Sequence, residues 1–295
     1  MKRIINILFL LLVATQGIHA QDSNKGKLVE ASEFNLWNKH KGDKAVVYAD
    51  IAYIRDFPST KSNVIDSLTQ GDEIKINSIP YNNSIIRGFE APWYKIKYSK
   101  NGVSKDGYIW LGLVALGNQQ QDDIKFIHGI LRYEKETSYS PATYFLEIKA
   151  LDKQNNTVAK QYYPIQIDGQ SYTDNKILGN MGLEGLSSIH RIGFMSEACG
   201  VPTDHYYFGF NGSEFITMFK KTAIGDAGIF YHEEKILFPS EHNLAPNLII
   251  KDIESGEVID EEAEELKYKI KKSREKYIWD GKHVSQVIEM HDVKK

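Results

Sequence analysis

Between residues 44 and 116 apolar and polar side chains alternate with a period of two, and glycine and proline interrupt the alternation at short intervals. That pattern specifies strands that turn one face to a core. Val46-Val47-Tyr48 reads as a first strand, and Ala52-Tyr53-Ile54-Arg55 alternates as a second. Phe57-Pro58-Ser59 ends it, because proline fixes φ and lacks a donor. Ile65 and Leu68 lead to Gly71, which suits a turn with positive φ. Ile74, Ile76 and Ile79 alternate again, Trp93-Tyr94-Lys95-Ile96 starts another strand, and Gly107-Tyr108-Ile109-Trp110 closes the set.

In order and spacing, Ala52-Tyr53-Ile54-Arg55-Asp56-Phe57-Pro58-Ser59, Gly71, Trp93-Tyr94-Lys95-Ile96 and Gly107-Tyr108-Ile109-Trp110 resemble a bacterial SH3 (SH3b) domain. The resemblance covers residues 44–116, about a quarter of the chain. It implies a small barrel of the kind carried by envelope and secreted proteins, which binds rather than reacts. In that family the central Trp and the final Gly-aromatic strand are structural, which assigns Trp93 and Gly107 to the frame. Residues 80–92 and 99–106 make longer connections than a minimal domain needs, and such loops flank the ligand groove. Tyr53, Phe57, Tyr81 and Tyr108 are the aromatics placed to stack on peptide or sugar. Arg55 and Arg87 are the cations placed to meet a carboxylate. The implied partner is a cell-wall peptide or an envelope protein, with no cofactor.

The N-terminus reads as a signal peptide over residues 1–20: Lys2 and Arg3, an apolar run, then Gly17-Ile18-His19-Ala20 at the cut. The run is shorter than the about 20 residues a membrane span needs, and no later segment approaches that length. Gln21 follows the cut where a lipoprotein would have cysteine, so the expected product is exported to the periplasm or cell surface and is not a lipoprotein. Cys199 is the single cysteine of the chain, so no internal disulfide forms and a hydrophobic core must hold the fold. Removing 20 of 295 residues leaves 275, enough for two domains. The net charge of −3 becomes −5 without Lys2 and Arg3. That balance argues against a nucleic-acid partner, whose phosphates require clustered Lys and Arg.

Residues 21–43 read as a polar linker holding one apolar island, and residues 117–123, without an apolar side chain, as the connection between domains. Residues 124–295 then read as a second, larger antiparallel β domain. Residues 126–133, 143–151 and 161–167 are β-branched and aromatic strands, and Asn211-Gly212 and Asp280-Gly281 each follow aromatics as hairpin turns. Residues 259–277 break the pattern. Acids precede bases, and Ala263, Leu266 and Ile270 fall at helical spacing, which predicts one C-terminal helix. The expected class is therefore mainly β: an SH3-like barrel, then an antiparallel domain with that helix.

Reactive side chains concentrate between residues 190 and 234: His190, Glu197, Cys199, Asp204, His205, Asp226, His232, Glu233 and Glu234. Cys199 with His205 or His232 is the pairing that would serve a thiol nucleophile. The neighbourhood argues against it. SH3b domains accompany cysteine peptidases of the NlpC type, whose nucleophile opens a helix in an Asp-Cys-Ser-Gly-like motif. Here Ala198-Cys199-Gly200-Val201-Pro202 runs into an aromatic strand. No His spacing fixes two metal ligands on one face, so no metal is expected. The leading expectation is an exported, non-catalytic binding protein. The alternative is a hydrolase of wall peptide or glycan with its site in the second domain.

Overall fold

A computed structural model describes residues 26–32, 35–260 and 265–288. Those residues form nineteen strands and two short 3-10 turns, with no α-helix. The signal-peptide assignment lies outside them.

The first sheet contains β1 (Lys44–Val46), β2 (Ile51–Arg55), β3 (Val64–Thr69), β4 (Glu73–Ile76), β5 (Tyr81–Ile86), β6 (Phe89–Lys100) and β7 (Val103–Trp110). Its order is β1-β4-β6-β7-β2-β3, with β5 joined to β6 alone. The alternation does what the sequence indicates: Ala52 and Ile54 are buried while Ile51 and Tyr53 are exposed. Gly71 has φ +84, and a Cβ there would lie 2.2 Å from Asn155 Oδ1, so conformation and space both require glycine. The expected long connections are hairpins instead. Arg87-Gly88 (φ 57 and 89) and Asn101-Gly102 (φ 52 and 75) each make a two-residue turn, so most of residues 80–92 and 99–106 is paired strand.

The second sheet is β11-β10-β9-β8, made of β8 (Gly117–Gln121), β9 (Ile124–Glu134), β10 (Thr143–Leu151) and β11 (Thr157–Ile165). Residues 117–121 are thus a paired edge strand where a bare connection is expected. Backbone pairing with β9 needs no apolar side chain, which is why composition hides it. The third sheet runs in chain order: β12 (Tyr172–Leu178), β13 (Ser188–Met195), β14 (Thr203–Phe210), β15 (Phe215–Asp226), β16 (Phe230–Leu237), β17 (Leu248–Val258), β18 (Tyr268–Trp279) and β19 (Val284–Gln286). All its pairings are antiparallel. Asn211-Gly212 joins β14 to β15 and Asp280-Gly281 joins β18 to β19, as the hairpin signals require.

The second sheet is a middle layer. Phe126 of β9 packs edge-on against Phe210 and Phe215 of the third sheet, with centroids at 5.2 and 6.1 Å. Its neighbour Ile127 points the other way and joins Val46, Tyr48, Ala115 and Leu151 in a cluster against the first sheet. Covered on both faces, β10 is buried at every position from Leu146 to Leu151. One core cluster runs from Trp37 through Trp93, Trp110, Phe126 and Leu146 to Phe208 and Phe215, so all three sheets share it. A second cluster, including Ile189, Tyr207, Phe219 and Trp279, covers the far face of the third sheet.

Two expectations are overturned. Residues 268–279 are strand β18, paired along its length with β17. The bases of that run are cross-strand partners of β17 acids: Arg274 pairs with Asp252 at 2.6 Å and Lys272 with Glu254 at 2.7 Å. Ala263 lies outside the described residues. The supposed linker is also anchored. Trp37 is only 5% exposed, stacks on Phe89 at 6.2 Å and donates its indole N–H to Val114 O at 2.8 Å. Thr173 Oγ1 donates to Leu36 O at 3.1 Å, tying this segment to the third sheet.

Candidate functional site

The site is built on the turn between β2 and β3 and on the start of β5. In the turn, Ser62 Oγ donates to Phe57 O at 2.6 Å and to Ser59 O at 2.7 Å, and Arg55 donates to Ser62 O. Asp56 Oδ1 accepts the Asn63 N–H at 3.1 Å. Asn82 bridges turn and strand. It sits in the left-handed region (φ 41), which Asn tolerates, and its side-chain N–H donates to Pro58 O at 3.1 Å. These bonds fix a depression of about 500 Å³, lined by Gly26, residues 56–59, 61–63 and 82–84. Its wall carries amide and hydroxyl groups, the Phe57 ring, the Asp56 carboxylate and the Lys61 ammonium. No residue of the second or third sheet lines it.

The six side chains expected to bind ligand divide into three groups. Phe57 lines the depression and meets the Tyr108 ring at 6.4 Å. Tyr108 is opposite Arg55 on β2 and Lys95 on β6, so these groups share the outer face of the sheet. Burial raises the Tyr108 phenol above its usual range, opposed by Lys95 and reinforced by Tyr81, which pairs with Trp93 on β6. Tyr53 is 52% exposed, two residues before Arg55 on that outer face. Arg55 spends a guanidinium N–H on the turn carbonyl and acts as a brace. Arg87 is elsewhere. Its carbonyl accepts the Tyr133 N–H at 2.9 Å, and its charge acts on Tyr48 and Asp50 at the boundary with the middle sheet. Lys61, Asn63 and Asn83 were not singled out by sequence; the turn-forming run 56–63 is the signal that marks the first two.

The reactive cluster of residues 190–234 does not assemble. Cys199 is exposed in the turn between β13 and β14, where Gly200 has φ 70. It shares a depression of about 380 Å³ with Glu197 and His232, but no hydrogen bond joins thiol to imidazole. His232 Nδ1 instead meets Ser255 Oγ at 2.8 Å and Nε2 lies 3.5 Å from Glu234. His205 is two strands away, opposite Lys221 on β15, whereas His232 is opposite Ile224. Two strand spacings and three residues of offset separate their backbones by more than about 10 Å. His205 lies 3.9 Å from Asp174, and burial with Arg191 nearby lowers it to about 4. Among the described residues no group of three His, Cys, Asp or Glu side chains is placed to hold a metal.

Two buried polar sets escape the sequence. His128 and His190 are both 0% exposed, meet at 5.5 Å between the second and third sheets, and have no hydrogen-bond partner on any ring nitrogen. Burial lowers both, His190 to about 3. On the opposite face of the middle sheet, Tyr48 donates to Glu147 while Lys149 bonds Asp50, Gln70 Oε1 at 3.1 Å and Tyr48 O at 3.1 Å. Both sets sit inside layer interfaces, away from the depression. No protein-family model, curated protein or solved structure matches the chain.

Proposed function

We propose that this is an exported, non-catalytic binding protein. Its first sheet serves as an SH3b-like barrel that recognises cell-wall peptide. The observation that carries the reading is the depression beside Phe57, which is open although the second sheet packs on the same barrel. The order β1-β4-β6-β7-β2-β3, with Trp93 and Trp110 buried and Phe57 and Tyr108 on the outer side, supports the resemblance. Amide and hydroxyl groups suit the amides of a peptide, and Phe57 offers an apolar surface. Lys61 takes the carboxylate-binding role, because Arg55 is bound to the turn and Arg87 is remote. Cys199 makes no hydrogen bond to His232, so a thiol nucleophile does not carry the hydrolase alternative.

Co-sedimentation of the chain from residue 21 with purified cell-wall sacculi tests this. The protein is retained, soluble wall peptides compete, and Phe57→Ala weakens retention about tenfold, the usual scale for truncating an aromatic anchor. Absence of retention, or retention unchanged by Phe57→Ala, overturns the reading. Retention by another envelope protein but not by sacculi moves the ligand class to a protein.

A further inference from the structure

Strand β5 has one sheet partner, β6, and its outer edge is covered by residues 29–31 of the same chain. Glu30 forms an antiparallel bridge with Tyr81. Val29 N–H donates to Asn82 Oδ1 at 2.8 Å, Asn82 N–H donates to Val29 O at 2.8 Å, and Ala31 N–H donates to Pro80 O at 3.1 Å. Asn82 therefore reads both backbone groups of one extended residue. It can do so because its left-handed conformation turns amide and side chain to the same side. Such a contact recognises a peptide backbone whatever side chain it carries.

The resident segment is held weakly. Leu28 is 40% exposed and Val29 57%, so hydrogen bonds hold it and little apolar surface is buried. From Val29 it runs back into the depression, where a Cβ on Gly26 would lie 3.7 Å from the Phe57 ring. Gly26 alone of this segment lines the depression with Lys61, which makes no ion pair among the described residues.

We propose that the β5 edge is the ligand-binding edge, and that residues 26–32 are an internal competitor. An extended peptide with an acidic residue N-terminal to the one held by Asn82 displaces them. The proposal rests on the binding role given to the same depression above. It adds the mode, main-chain addition to β5, and a self-blocked resting state.

The test uses two fluorescent peptides, the resident sequence of residues 26–32 and its Lys27→Glu variant, titrated by anisotropy. A chain starting at residue 33 binds both saturably, the Lys27→Glu peptide several-fold tighter. The chain from residue 21 binds each at least tenfold more weakly. Asn82→Ala in the shorter chain abolishes binding while its thermal melt remains cooperative. Should the shorter chain fail to fold, Val29→Pro in the longer chain removes the N–H given to Asn82 Oδ1 and loosens the segment: peptide binding then rises, and the Asn82 amide exchanges at least tenfold faster. Equal affinity for both chains, or no binding to an opened edge, overturns the proposal. Resident-sequence peptide that binds while wall peptides do not refutes only the ligand assigned above; wall peptides that bind both chains equally refute only the internal competitor.

Discussion

Single residues mark the layer boundaries more sharply than any motif does. Lys149 is 2% exposed in the interface between the first two sheets, between Tyr48, Gln70, Asp50 and Glu147. Burial and the Glu147 carboxylate hold the Tyr48 phenol far above its usual range, so Tyr48 stays a donor. Lys149→Met leaves Glu147 buried without its cation and lowers stability by about 3 kcal/mol in urea unfolding at pH 7. Adding Glu147→Gln to that variant restores part of the loss. Gly129 faces the Tyr48 ring, and a Cβ would come within 2.6 Å of it, so Gly129→Ala costs about 2 kcal/mol by the same assay. The His128–His190 pair makes the fold acid-sensitive. In the unfolded chain each imidazole titrates near its ordinary value of about 6.5, whereas burial holds the folded groups lower, His190 at about 3. Below about pH 6.5 the unfolded state therefore binds protons that the folded state refuses. Stability falls as pH drops from about 6.5 towards 3, by up to about 1.4 kcal/mol per pH unit for each histidine. His190→Leu flattens that slope by one proton between pH 6 and 4.5, read from urea midpoints. Apart from Lys149 and Glu147, alternate residues of one strand, these contacts are invisible in sequence because each joins residues about 60 to 100 positions apart.

Elements were legible where the backbone decides locally. Strand alternation in residues 52–55, the Asn-Gly and Asp-Gly hairpins and the positive φ of Gly71 follow from sterics within a few residues. Residues 268–279 show where local signals fail. Acids followed by bases fit a helix dipole, but Lys272 and Arg274 meet Glu254 and Asp252 of β17 as opposite charges across the pair, and pairing with a central strand satisfies the backbone as well. Ile253→Pro tests the ladder from inside. Ile253 is paired with Glu234 on one side and Ser273 on the other, so the substitution removes a sheet hydrogen bond whichever way its N–H points. The expected loss is on the order of 3 kcal/mol in thermal or urea unfolding, with no rise in helical circular dichroism.

At the scale of the whole molecule, the middle sheet makes the first sheet a dependent layer. Val46, Tyr48 and Ala115 are buried against Ile127 and Leu151, so residues 21–120 alone would bare an apolar face. That fragment is expected to give broadened amide resonances and to associate at micromolar concentration, whereas the chain from residue 21 unfolds in one calorimetric transition. By itself the sequence determined a mainly antiparallel β chain without a disulfide, several of its strands and turns, and the Phe57 turn at which the binding site is proposed. Period-two alternation and turn chemistry act over a few residues, which is why they can be read in order. Only the tertiary structure decided that β8 and β18 are strands, that Trp37 belongs to the core and that the second sheet is covered on both faces. It also brought Val29 to Asn82, leaving Arg87 at another boundary. Those outcomes depend on which distant surfaces exclude water together and which distant backbone groups find partners, and no local pattern of residues encodes either.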